Sequence, residues 1–172
     1  REIKYDRKSI LIFVPSVEKA KALSARIPHS RVVYGDMPDK ERTEVIGGFK
    51  DFTIQVVINV NVLSVGFDHP GLDAIILGRS TASLPWLYQA LGRGTRIFKG
   101  KDFTLIIDFA GNIKRFGKIE DLYYEKDKRT WKLYGEGGKL LTGIPIHEIG
   151  MHIKPTPGEI IMTFGKHVGK KV

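Results

Sequence analysis

The chain has 172 residues, 42% of them apolar, enough for one α/β domain with its own core and an extension. It carries 28 Lys and Arg against 19 Asp and Glu, and the formal net charge of +9 favours a polyanionic partner such as nucleic acid, through counterion release and steering. Zero cysteines exclude disulfides and thiolate zinc sites and fit a reducing cytoplasm, and no run approaches the ~20 apolar residues of a membrane span, so no membrane role is expected.

In chain order, residues 10–16 read as a buried strand that closes on a Pro15-Ser16 turn. Ser16 is placed to cap a helix whose apolar face comes from Val17, Ala20, Leu23 and Ala25. Residues 31–34 form a second short strand running into Gly35-Asp-Met-Pro38, where Pro38 opens a helix carried on by Glu41, Val45 and Phe49. Residues 53–60 are a third strand, rich in Val and Ile, and residues 74–77 a fourth. A helix opened by Pro85 follows, and residues 103–109 are a fifth buried strand. Apolar strands alternating with amphipathic helices predict βαβ units around a mostly parallel sheet.

The Pro85 helix ends in Gln89-Ala-Leu-Gly-Arg-Gly-Thr-Arg96. Three-residue spacing would set Arg93 and Arg96 on one face of a helical turn. A guanidinium stays charged and offers a planar fork of donors, so two of them can clamp phosphate oxygens and neutralise charge developing in phosphoryl transfer. Gly92 and Gly94 leave room for that approach. A solvated basic helix end is the plain alternative for the octapeptide taken alone.

The ordered set of motifs over about residues 9–110 resembles the second RecA-like domain of superfamily 2 helicases, the DEAD, DEAH and type III restriction-like group. Residues 10–16 are similar to motif IV, residues 57–70 with Gly66-x-Asp68 to motif V, and Gln89-x-x-Gly-Arg-x-x-Arg96 to motif VI. The resemblance implies a three-layer RecA-like α/β fold. It implies that Arg96 is an arginine finger on the γ-phosphate of ATP, with Arg93 beside it. Asp68 would bond the ribose, Gly66 and Gly92 would allow close approach to the nucleotide, and Gln89 would orient the motif and couple the ATP cleft to nucleic acid. Ser16, Gly35, Asn59, Asn61 and Ser64 would line the nucleic-acid track. Arg42 would bridge to Glu41 or Asp39, brace the sheet edge, meet nucleic acid or serve catalysis.

Two departures bear on the partner. Many relatives place a Thr-Asp pair before the motif V glycine, whereas Val60 and Asn61 stand here, leaving Asn59, Asn61 and Ser64 as substitutes. Motif VI has Gln89 where DEAD-box RNA helicases typically have histidine, which leans toward DNA. The chain carries no G-x-x-x-x-G-K-[ST] loop and no strand ending in a paired Asp-Glu. In the family those parts, with the Mg²⁺ ligands, belong to the preceding RecA-like domain, so this chain is expected to be the C-terminal piece of a longer polypeptide and inert toward ATP alone.

Residues 1–118 are expected to form the RecA-like domain and residues 119–172 a small β-rich basic extension and tail. In the extension, residues 122–124, 130–134 and 140–146 read as short strands, with Gly135-Glu-Gly-Gly-Lys139 as a hairpin turn. Its aromatics Tyr123, Trp131 and Tyr134 would either stack on bases or form the extension's own small core. His147, Glu148 and His152 lack the four-residue spacing of a zinc-binding helix, and residues 165–172 read as a mobile basic tail. The combined expectation is the C-terminal motor domain of an ATP-dependent DNA helicase or translocase in a cytoplasmic, bacterial or phage-like setting. An RNA helicase domain, or a stand-alone nucleic-acid-binding module without motor activity, are the alternatives.

Overall fold

The computed structural model describes residues 7–63, 67–127, 130–141 and 161–165. Its elements are β1 (Ile10–Phe13), α1 (Val17–Ser24), β2 (Ser30–Tyr34), α2 (Asp39–Lys50), β3 (Val56–Val60), β4 (Ala74–Leu77), α3 (Leu84–Gly92), β5 (Phe103–Asp108), α4 (Asn112–Phe116), β6 (Tyr123–Asp127), β7 (Thr130–Tyr134) and β8 (Ile161–Gly165). The main sheet runs β2-β3-β1-β4-β5-β8, with the first five strands parallel. This is the α/β RecA-like architecture, with helices on both faces.

Both layers follow from the two-residue period of the strands. Leu11, Phe13, Val57, Ile75 and Leu77 face one way and meet Phe49 of α2, Leu87 and Leu91 of α3 and Phe116 of α4. Ile10, Ile12, Val56 and Ile58 face the other way, against Ala20 of α1 and the flanking Val17 and Leu23. Burying such a side chain contributes about 1.5–3 kcal/mol, so strands buried on both faces need no alternation with polar residues. Phe49 is wholly buried, and truncating it to alanine would cost about 3–5 kcal/mol.

The helix starts are set by hydroxyl caps. Ser16 accepts a bond from the Lys19 amide at 3.3 Å, and Ser83 one from Trp86 at 3.3 Å with Pro85 in the first turn. The α3 helix stops at Gly92, and Arg93 is its C-cap. Arg93 and Arg96 therefore do not share a face of a helical turn as their spacing predicts; Arg96 lies beyond the helix.

Two features of the C-terminal part differ from the sequence pattern. Ile161–Gly165, grouped by composition with the extension, pairs antiparallel with β5 at the edge of the main sheet. The strands β6 and β7 form a separate two-stranded sheet, and Leu140 bridges back to Tyr134 across the Gly135–Lys139 connection, the expected hairpin. Tyr123 and Tyr134 stack on each other at 5.4 Å. The remainder of the third expected strand, the histidines at 147 and 152 and the tail from 166 lie outside the described residues. Among those described, no helix is long and apolar enough to cross a membrane.

Candidate functional site

Parallel strands give the sheet two unlike ends, and the expected site residues divide between them. At the ends where strands begin, the segment entering β4 and the turn leaving α3 lie side by side. Arg96 forms an ion pair with Asp68, and the buried Arg93 donates to the main-chain oxygen of Phe67. Two arginines of one motif thus engage two consecutive residues of the other. Burial pulls the Arg93 pKa below its usual value, although a guanidinium remains charged at any physiological pH.

The two glycines of the turn play different parts. A Cβ on Gly94 would meet the Thr104 methyl at 2.5 Å, so only glycine lets the turn settle on β5, whereas Gly92 faces open space. Gln89 is exposed on α3. Gly66 and Ser64 lie outside the described residues.

Beneath the turn sits a ring ladder. His69 contacts the rings of Phe49, Phe52 and Phe67 at 5.0, 5.2 and 6.1 Å, and its Nε2 bonds the Ser9 hydroxyl at 2.8 Å. Burial, then the charges of Lys50 and Lys101, push its pKa down to about 4, so the ring is neutral near pH 7. Phe52 holds a φ of 60°, a costly conformation for a bulky residue, and its ring lies over Gly71, where a side chain would collide at 2.4 Å.

At the opposite end, where the strands finish, a cleft of about 610 Å³ is lined by Pro15, Lys19, Asn61, Arg79, Phe109 and Arg115, among others. Asn61, at φ 60°, accepts a bond from Arg79. The guanidinium of Arg79 also lies 4.7 Å from the Trp86 ring. A buried polar network fixes the floor. Asp108 accepts from the Ile113 amide at 2.7 Å and from Asn112 at 3.2 Å, while Asn112 holds the Thr81 amide and the Arg79 carbonyl, both at 2.9 Å. Arg115 donates to the Thr81 carbonyl at 2.6 Å. These bonds satisfy the backbone of the loop between β4 and α3 and fix the residues that line the cleft.

Asn59 does not reach this surface. It is fully buried, and its Oδ1 accepts the amides of Val62 and Leu63 at 3.1 and 2.9 Å, closing the turn after β3. Its oxygen is thereby committed to the backbone, and its side chain offers no exposed surface where the nucleic-acid contact was expected. Arg42 bonds the carbonyls of Gly35 and Met37, each at 2.7 Å, and pairs with Asp39 at 3.4 Å, so it shapes the loop that displays Gly35. Ser16 is half-buried, with its hydroxyl at the start of α1.

Arg79, Phe109 and Arg115 were not among the expected site residues, although Asp108-Phe-Ala-Gly-Asn112 with Arg115 resembles the closing strand and exit of bacterial and phage helicases. The available signals were a basic residue in each of the segments that leave the predicted strands 74–77 and 103–109, and an aromatic residue at the last position of the second.

The family described as "Helicase conserved C-terminal domain" matches residues 2–98, more than half of the chain. IRC3 of Saccharomyces cerevisiae, named as an ATP-dependent helicase, is 39% identical over 79 residues, 46% of this chain and 12% of IRC3. The ATP-dependent RNA helicase DDX42 of Xenopus laevis is 27% identical over 128 residues, 69% of this chain and 14% of DDX42. The chain thus spans less than a fifth of these relatives. The fold is similar to the E. coli DEAD-box protein SrmB, solved with RraA, at a TM-score of 0.52 and 20% identity, covering 63% of this chain and 65% of that one. The chain belongs to the helicase conserved C-terminal domain family, with the RecA-like α/β fold of superfamily 2 helicase C-terminal domains.

Proposed function

We propose that this chain is the C-terminal motor domain of an ATP-driven DNA helicase or translocase, with ATP held between it and a phosphate-binding RecA-like domain of the same polypeptide. The observation that carries the reading is the Arg96–Asp68 pair. In the structure each satisfies the other. With side chains 42% and 64% exposed, such a pair is worth about 0–1 kcal/mol, so exchanging partners costs little. A γ-phosphate then takes the Arg96 guanidinium, and a ribose hydroxyl donates to Asp68. Arg93, anchored on Phe67, adds fixed positive charge beside the same phosphate.

Gly92 supplies open space for the nucleotide, Gly66 contributes through the resemblance, and Gln89 links the site to the track. Mg²⁺ would accompany ATP and neutralise its phosphates. Its ligands would come from the partner RecA-like domain, as the family resemblance implies. Closure of the two domains would complete the site, hydrolysis would release it, and repeated closure would step the protein along a strand.

The cleft at the opposite end is the proposed nucleic-acid track. Lys19, Arg79 and Arg115 supply phosphate-binding charge, with Ser16, Gly35, Asn61 and Ser64 as polar contacts. Gln89 in the motif VI position supports DNA. RNA is the second reading, favoured by the likeness to DDX42. The test is ATP hydrolysis by the full-length protein with single-stranded DNA or RNA added. Stronger stimulation by DNA supports the first reading and stronger stimulation by RNA the second, whereas binding without hydrolysis would leave a nucleic-acid-binding module.

A further inference from the structure

In sequence, Lys99-Gly-Lys-Asp102 is a charged turn ahead of β5, of the kind that faces water. The structure folds one of its lysines inward. The Lys101 ammonium donates to the carbonyls of Pro70 at 2.7 Å, Leu72 at 3.1 Å and Gly94 at 3.0 Å. Three acceptors match its three donors.

The local chain makes this possible. The Lys101 amide closes a turn on the Phe98 carbonyl at 3.1 Å, with Gly100 at a φ of 81° in the third position, where a side chain would be strained. That turn reverses the chain leaving the arginine motif and returns Lys101 beneath Gly94. Partial burial draws the lysine pKa down, opposed by the carboxylate of Asp73.

The three acceptors lie on the two segments that matter to the nucleotide site. Pro70 and Leu72 stand two and four residues after Asp68, and Gly94 stands between Arg93 and Arg96. Thr104 adds to the same junction, its hydroxyl lying within reach of the Gly94 and Leu72 carbonyls. The Arg96–Asp68 pair itself is too exposed to hold both segments in place.

We propose that Lys101 is a positioning residue for phosphoryl transfer: its ammonium locks the Gly94 carbonyl to the segment after Asp68, so that Arg96 and Asp68 meet one nucleotide together. Lys101 touches no substrate and moves no proton in this role. The proposal rests on the motor reading above. A loosened arginine turn loses rate because a displacement of about 1 Å in a positioned group can cost about a hundredfold.

The test uses the full-length protein with Lys101→Met and Lys101→Gln, each assayed well below its own Tm. The expected result for Lys101→Met is a kcat lower by about ten- to a hundredfold with KM for ATP within about threefold of wild type. Lys101→Gln, which keeps two donors, should lose less, and it decides the matter if the methionine variant does not fold. Wild-type kcat in the folded variants, whatever their Tm, would overturn the proposal. Amide hydrogen exchange separates this from the motor reading. If the wild-type protein hydrolyses no ATP, the motor reading fails, yet faster exchange at residues 94–98 in the variants would still support the tie, and unchanged exchange would overturn it.

Discussion

The two ends of the sheet present their cations differently. Where the strands begin, Arg93, Arg96 and Lys101 are bound to specific oxygens, two of them at least partly buried, and a glycine is required by the fit. Where the strands finish, the half-buried Arg79 and Arg115 each hold one oxygen, of the Asn61 side chain and of the Thr81 backbone, and with the exposed Lys19 they line an open cleft whose floor is set by Asp108 and Asn112. The contrast matches two tasks. Phosphoryl transfer needs charge held to within a fraction of an ångström, while a strand sliding past needs charge that is present and tolerant of register.

The largest effect that would sharpen this comparison is on pH. His69 has a folded pKa near 4 against an ordinary 6.5, so its contribution to stability is complete above pH 6.5 and is lost as pH falls from there toward 4. The full loss is about 3 kcal/mol. Urea unfolding of wild type and His69→Gln across that range measures it, and equal slopes in the two proteins would show that this end carries no buried neutral histidine.

Asn112→Ala comes next. It strips the Thr81 amide and the Arg79 carbonyl of partners in a buried setting and should cost about 2–3 kcal/mol. If the cleft depends on this layer, nucleic-acid affinity falls in the folded variant while ATP affinity does not. Gly94→Ala drives a methyl into Thr104 and should cost about 1–3 kcal/mol. It should lower kcat with little change in nucleic-acid affinity, the reverse of Asn112→Ala; identical profiles for the two would dissolve the distinction between the ends. The smallest effect belongs to Arg79→Ala, which should reduce the salt dependence of binding by about one phosphate and leave kcat at saturating nucleic acid unchanged. Titrations at several salt concentrations would measure it.

How much of this was legible in the sequence varies with how local the cause is. The apolar runs of β1, β3, β4 and β5 name themselves because strands buried on both faces carry no polar alternation. The hydroxyl cap at Ser16 is equally local. The end of α3 is not: spacing predicts a shared face for Arg93 and Arg96, but the chain leaves the helix at Gly92 to let Gly94 dock on Thr104, a contact ten residues away. Asn59 reads as a polar residue at a strand exit and proves to be a buried turn-former, because its acceptors' partners are the amides just after it. Lys101 was invisible for a third reason, since nothing local distinguishes a lysine that finds three carbonyls from one that finds water. The pairing of Ile161–Gly165 with β5 depends on a partner more than fifty residues upstream, beyond the reach of any pattern within the segment.

The central claim is that Arg96 acts on the nucleotide and not on the nucleic acid. It is tested most directly by ATP hydrolysis of the full-length protein, wild type and Arg96→Ala, titrated with single-stranded DNA. The account predicts that the variant binds ATP and DNA with nearly wild-type affinity and loses about 10³-fold or more in kcat. Retained turnover, or a variant that hydrolyses normally but has lost DNA affinity, would contradict it.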